Sequence, residues 1–117
     1  MRKPEAYLLD MVEAADRIGR YVADMDRVTF LASDMAKAAV VREVEIMGEA
    51  AGRIPERVRT AHPEVPWAEI ARLRNFYIHI YHGLDYHLVW TTATATVPRI
   101  ASAVRAMIPA PHDPTSS

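Results

Sequence analysis

The chain has 117 residues, half of them hydrophobic and a quarter charged, which fits one soluble globular domain, excludes a chain disordered throughout and leaves little room for a second domain. It contains no cysteine, so disulfides, thiolate metal sites and a cysteine nucleophile are ruled out. The formal net charge of −1 means that any contact with nucleic acid must come from a local basic patch. Asp10, Glu13 and Asp16 interrupt the stretch after the basic start, no apolar run approaches the length of a membrane span, and a cytoplasmic location is expected.

Only four glycines occur and alanine is frequent, a composition that favours helix. From about Pro4 to Met25, Leu8, Met11, Val12, Ala15, Ile18, Val22 and Met25 make one apolar helical stripe, with Pro4 in the first turn. Asp24, Asp26 and Thr29 mark a turn, and Thr29 or Asp34 can cap the next helix. A second helix is predicted from about Asp34 to Arg53. Met35, Ala38, Val41, Val44, Met47 or Gly48, and Ala51 point inward, and Arg42, Glu45 and Glu49 form a charged ladder on its other face. Gly52 and Pro55 end it, and a short helix from about Pro55 to Ala61 leads into Pro63-Glu64-Val65-Pro66.

A third long helix begins at Pro66, with Ile70, Leu73, Phe76, Tyr77 and Ile80 on its apolar side and Gly83 as its stop. Asp85 caps a fourth, reaching about Met107, in which Thr91, Thr92, Thr94 and Thr96 lower helix propensity and Pro98 should introduce a kink. The segment 109–117 reads as a disordered tail. Strand-type alternation is absent at useful length. The expected fold is therefore all-α, an up-and-down bundle of four main helices plus a short connecting helix, within one domain over residues 1–108.

One segment stands apart: Arg72-Leu73-Arg74-Asn75-Phe76-Tyr77-Ile78-His79-Ile80-Tyr81-His82-Gly83. Between residues 71 and 82 there are two arginines and no acid. Asn75 and His79 share a helical face four residues apart, so the amide can fix the imidazole tautomer. Arg74 and Tyr81 lie on one stripe two turns apart. Arg74 and His79, five apart, sit about 140° around the helix with a rise of roughly 7.5 Å, so they flank a ridge. They would converge on one ligand most easily if a second copy of the helix closed a cleft, an arrangement that a twofold dimer provides.

Simpler assignments compete. An isolated arginine is usually a surface ion-pair partner, and an isolated helix-end histidine is usually structural. His79, His82 and His87 could suggest a metal, but Asp85 is the sole nearby acid and zinc takes four close ligands, so no metal and no cofactor are expected. Glu45 and Glu49 fit an exposed ladder better than a paired-carboxylate site. Trp67 and Trp90 fit core or interface anchors, and Arg53, Arg57 and Arg59 fit a solvated face.

The pattern Arg74-x4-His79-x-Tyr81, with Asn75 directly after the arginine, resembles the signature of the HEPN superfamily, and more closely its HepT-like toxin branch. The likeness extends to Val44-Glu45-Ile46-Met47-Gly48-Glu49-Ala50, to His62-Pro63-Glu64-Val65-Pro66-Trp67, and to Gly83-Leu84-Asp85 with Val89-Trp90. It covers roughly residues 3–108. The resemblance implies a homodimeric, metal-independent endoribonuclease whose paired motifs line one cleft. His79 would be the general acid/base for attack of a ribose 2′-hydroxyl on the adjacent phosphodiester, and Arg74 would bind the scissile phosphate, with Asn75 in support. It further implies one half of a type VII-like toxin–antitoxin pair. The other half would be a minimal nucleotidyltransferase that silences the nuclease by transferring AMP to Tyr81, with higher assembly of the dimer and antitoxin left open. Where relatives commonly carry glycine two before the arginine and an aromatic after the tyrosine, this chain has Arg72 and His82, two further candidates for RNA contact. The alternative is a non-catalytic helical module whose cleft holds a nucleotide or a protein.

Overall fold

The computed structural model describes residues 2–74, 83 and 85–109. Among them the chain is helical, with no strand. Helix α1 spans Pro4–Val22, with Pro4 in its first turn, and buries Leu8, Met11, Ala14, Ala15, Ile18 and Val22. Leu8, Met11, Ala15, Ile18 and Val22 step by three and four in turn, the apolar stripe of an amphipathic helix, and Ala14 widens it. It stops three residues before the expected Met25, because Asp26 opens a new element.

That element, α2, spans Arg27–Leu31 and has no counterpart among the helices the sequence predicts. Asp26 accepts from the Thr29 backbone N–H at 2.8 Å, and the Thr29 hydroxyl accepts from the Asp26 N–H at 3.0 Å. This reciprocal capping satisfies two backbone donors at once. Phe30, fully buried, plugs α2 into the core and meets Trp90 with ring centroids 5.2 Å apart.

Helix α3 spans Asp34–Gly52 and is capped by Ser33, whose hydroxyl accepts from the Ala36 N–H at 3.0 Å. Neither Thr29 nor Asp34 serves as that cap. The main helical interface is α1 against α3, where Val40, Val44 and Met47 are fully buried. Each such aliphatic side chain contributes about 1.5–3 kcal/mol. Met35, expected inside, is 83% exposed, and Ala38 is exposed as well. Ala36 is partly buried against the core, and the fully buried positions of α3 begin at Val40.

Glu43, in contrast, is buried and accepts from Arg17 Nε of α1 at 2.8 Å. A carboxylate in this position needs such a partner. Two short helices come next: α4, Glu56–Ala61, and α5, Trp67–Leu73. Pro66 stands just before α5, and Ile70 and Leu73 seat α5 on α3. Trp67 is half-buried and donates from its indole N–H to the His62 carbonyl at 2.9 Å, an anchor as expected.

After Gly83 the chain enters α6, Tyr86–Thr91, capped by Asp85, which accepts from the His87 N–H at 3.0 Å. A π-helical turn at Thr92–Thr96 joins it to α7, Val97–Arg105. The threonines fit this turn. The Thr91, Thr92 and Thr94 hydroxyls donate to the carbonyls of His87, Leu88 and Trp90 at 3.2, 2.8 and 2.8 Å. Such bonds give the carbonyls a partner where regular α-geometry is interrupted. Pro98, expected to kink the helix, is the second residue of α7, in the first turn after this widened one. Among the described residues no helix is long and apolar enough to cross a membrane.

Candidate active site

Arg74 is the described member of the proposed catalytic pair. It closes α5, its N–H bonded to the Ala71 carbonyl at 3.3 Å, directly after the buried Leu73. Leu73 packed on α3 leaves the next side chain at the rim of that contact. There the arginine runs along α3: its stem lies against Gly48 and its guanidinium over Gly52. A Cβ on Gly48 would stand 2.5 Å from Arg74 Cγ, and a Cβ on Gly52 would stand 2.8 Å from Nη1. The arginine side chain remains 48% exposed.

Its ionic partner among the described residues is Glu49, at 3.8 Å from Nη2 and itself 60% exposed. That is a loose contact in water, worth at most about 1 kcal/mol. Glu49 therefore faces Arg74, and among the described residues no ion pair joins Arg42 to Glu45 or Glu49, as a charged ladder would require. Arg74 borders a groove of about 440 Å³ between the start of α1 (Arg2, Pro4, Tyr7) and the end of α3 (Glu49, Gly52, Arg53). Three arginines face one glutamate there, and Asp10 holds Arg2 at 2.6 Å. The mouth is thus locally cationic in a chain of net charge −1. An arginine keeps its charge at any physiological pH and offers planar donors suited to phosphate oxygens.

Arg72 is exposed one position before Leu73. Asn75, His79, Tyr81 and His82 lie outside the described residues, as does the expected run of the third helix over 75–82. Gly83 has a φ of +81°, the left-handed conformation that favours glycine, and so marks a turn where the sequence predicted a stop. His87 is exposed, its ring Nδ1 3.4 Å from Arg27 Nη1. Among the described residues no cluster of acids and histidines could hold a metal ion.

Sequence reasoning missed the part that Gly48, Gly52 and Arg53 play around Arg74. The available signal was two glycines one turn apart in a helix, the first in its interior, where alanine would be more stable by roughly 0.5–1 kcal/mol. Such a pair needs a spatial reason, and here the reason is an arginine from another helix.

Residues 11–107 match the family model described as ribonuclease HepT-like. The chain is similar to "Putative RNase MJ1380" of Methanocaldococcus jannaschii, 39% identical over 88% of this chain and 94% of that one. It is likewise similar to "Probable ribonuclease HepT" of Thermococcus cleftensis, 36% identical over 85% of this chain and 90% of that one. A third relative, "Putative RNase TTE0752" of Caldanaerobacter subterraneus subsp. tengcongensis, is 31% identical over 92% of this chain and 96% of that one. No solved structure matches the chain. With the family model and full-length relatives in agreement, the chain belongs to the ribonuclease HepT-like family.

Proposed function

We propose that the chain is a metal-independent endoribonuclease, the toxin of a toxin–antitoxin pair, acting as a homodimer whose two Arg74/His79 motifs line one cleft. The observation that carries this reading is the state of Arg74. It is a half-exposed guanidinium at the rim of a cationic groove, held only loosely by Glu49 and supported from beneath by glycine, in a chain of the HepT-like family. A guanidinium with free donors can take up a phosphodiester at little cost in broken contacts.

The proposed reaction is transesterification. His79 removes the proton of a ribose 2′-hydroxyl, the 2′-oxygen bonds to the adjacent phosphorus, and the bond to the 5′-oxygen of the next nucleotide breaks. That oxygen takes up a proton from an acid, and the upstream strand ends in a 2′,3′-cyclic phosphate. Histidine titrates near neutrality and so suits both proton transfers, a contribution of about 10²–10⁴ in rate. Arg74 stabilises the charge that builds on the non-bridging oxygens, at about 3 kcal/mol. Asn75 orients His79, and Arg72 and His82 touch the flanking strand.

Regulation acts at the same site. A nucleotidyltransferase antitoxin transfers AMP from ATP to the Tyr81 oxygen, which loses its proton and displaces pyrophosphate, placing bulk and negative charge where the RNA phosphate must sit. The test is cleavage of single-stranded RNA with a chelator present. Wild type should cleave and leave cyclic phosphate ends, His79→Ala and Arg74→Ala should lose activity, and Tyr81→Phe should abolish the AMP adduct formed with the antitoxin. Cleavage that persists in both site variants overturns the site. A wild-type chain that binds RNA without cutting it turns the reading into the binding-module alternative.

A further inference from the structure

We propose that Gly52 is a positioning residue for Arg74, a role that rests on the reading of Arg74 as the phosphate-binding group. By leaving the surface of α3 bare, it sets the height and direction of the guanidinium.

Neither glycine inside α3 is explained by backbone conformation. The described chain has one positive φ, at Gly83, so neither Gly48 nor Gly52 is needed for a left-handed turn. Gly48 lies inside α3, where alanine would favour the helix, and Gly52 is its last residue, without a positive φ that would call for glycine. Gly19, inside α1, offers a comparison: a Cβ there would meet nothing within 4 Å. At Gly48 and at Gly52 the three nearest neighbours of the added atom, among the described residues, all belong to Arg74. The pair therefore makes room for that one side chain.

The two positions differ in what they touch. A methyl on Gly48 would press on the Arg74 backbone, 3.0 Å from its nitrogen and 3.2 Å from its Cα, as well as on Cγ. Backbone cannot step aside, so that substitution disturbs the seat of α5 on α3. A methyl on Gly52 would meet only the far end of the side chain, Nη1 at 2.8 Å and Cζ at 3.3 Å. The fold can absorb that by lifting the guanidinium, which is free to move because its outer side faces solvent and its contact with Glu49 is long. Gly52→Ala thus displaces the charged group and little else. A phosphate-binding group moved by a fraction of an ångström loses its alignment with the oxygens it must stabilise.

The experiment compares kcat and KM for wild type, Gly52→Ala, Gly19→Ala, Arg74→Ala and Arg74→Lys on a fluorescently labelled single-stranded oligoribonucleotide, with thermal unfolding of each. Gly52→Ala should lower kcat by roughly ten- to hundredfold, with a melting temperature no lower than wild type. Gly19→Ala should leave kcat unchanged. In the Arg74→Lys background, which lacks the Nη1 atom that the new methyl meets, adding Gly52→Ala should cost less than about threefold, since the two changes act through one group. Full activity in Gly52→Ala overturns the inference, as does the same loss in both backgrounds or a loss that tracks a fall in melting temperature. Full activity in Arg74→Ala instead overturns the site on which the inference rests.

Discussion

Helix α3 carries two glutamates that meet arginines from other helices, and the two pairs are built differently. In its middle, the buried Glu43 takes Arg17 of α1 at 2.8 Å, and its side chain is 9% exposed. Near its end, Glu49 stands 3.8 Å from Arg74 of α5, with the side chains 60% and 48% exposed. The first arginine is committed. Its Nε is bound to a carboxylate that cannot be left alone, and its pKa is raised chiefly by that hydrogen bond. The second lies along two glycines and, among the described residues, has Glu49 at 3.8 Å as its ionic partner. Distance and burial separate an arginine that holds a fold from one that is available to a ligand.

That contrast can be broken by exchanging the two losses. Arg74→Ala should reduce RNA cleavage by about 10²-fold or more while melting stays near wild type, because an exposed ion pair contributes little to stability. Arg17→Ala should do the opposite, costing about 1–3 kcal/mol in denaturant unfolding by orphaning the buried Glu43 carboxylate, with residual folded protein still active. Activity lost in both, or stability lost in both, would erase the distinction. A smaller effect tests the N-terminal end of α3 against its C-terminal end. Ser33→Ala removes the cap on the Ala36 N–H and should cost about 1 kcal/mol, read as a melting temperature a few degrees lower, without touching kcat.

The smallest effect is electrostatic. The Thr29 backbone N–H, with the Thr29 hydroxyl second, holds the Asp26 carboxyl below its ordinary value of 3.8. A carboxylate lowered by folding stabilises the fold at pH above that ordinary value, and its contribution fades as pH falls through the lowered one. The stability gap between wild type and Asp26→Asn should therefore shrink steadily on acidification below about pH 4, in melting curves taken across that range.

Long helices with a repeating apolar face are the legible part of this chain. The limits of α3 fall within a residue of those expected, and Asp85 caps α6 as its position suggests. The five-residue α2 is invisible to periodicity, because one turn has none and depends on Asp26 and Thr29 bonding to each other. Met35 and Glu43 escape the sequence pattern for a shared reason. A stripe gives the direction of a face but not how deeply each position is covered: Met35 near the start of α3 is exposed, while Glu43 is buried with Arg17 ready for its charge. At the site, the motif is readable as a string of residue types. The seat of Arg74 is not, since it joins residues 26 and 22 positions apart (Gly48 and Gly52 to Arg74) on different helices. Asn75, His79, Tyr81 and His82 lie outside the described residues, so their reading rests on spacing and resemblance.

The widened turn at Thr92–Thr96 bears on how this chain can tolerate change in length. Buried Val89, Ala93, Val97 and Ala101 recur every fourth residue, and each such step on a regular α-helix would drift about 40° around the axis. A turn holding more residues takes up that drift, so α6 can face Phe30 through Trp90 while α7 faces α1. The Thr92–Thr96 stretch works as a phase splice. Removing one residue from it closes the turn to regular α-geometry and largely keeps the downstream face, whereas the same deletion in regular α7 would twist everything after it by about 100° and aim Val104 at water.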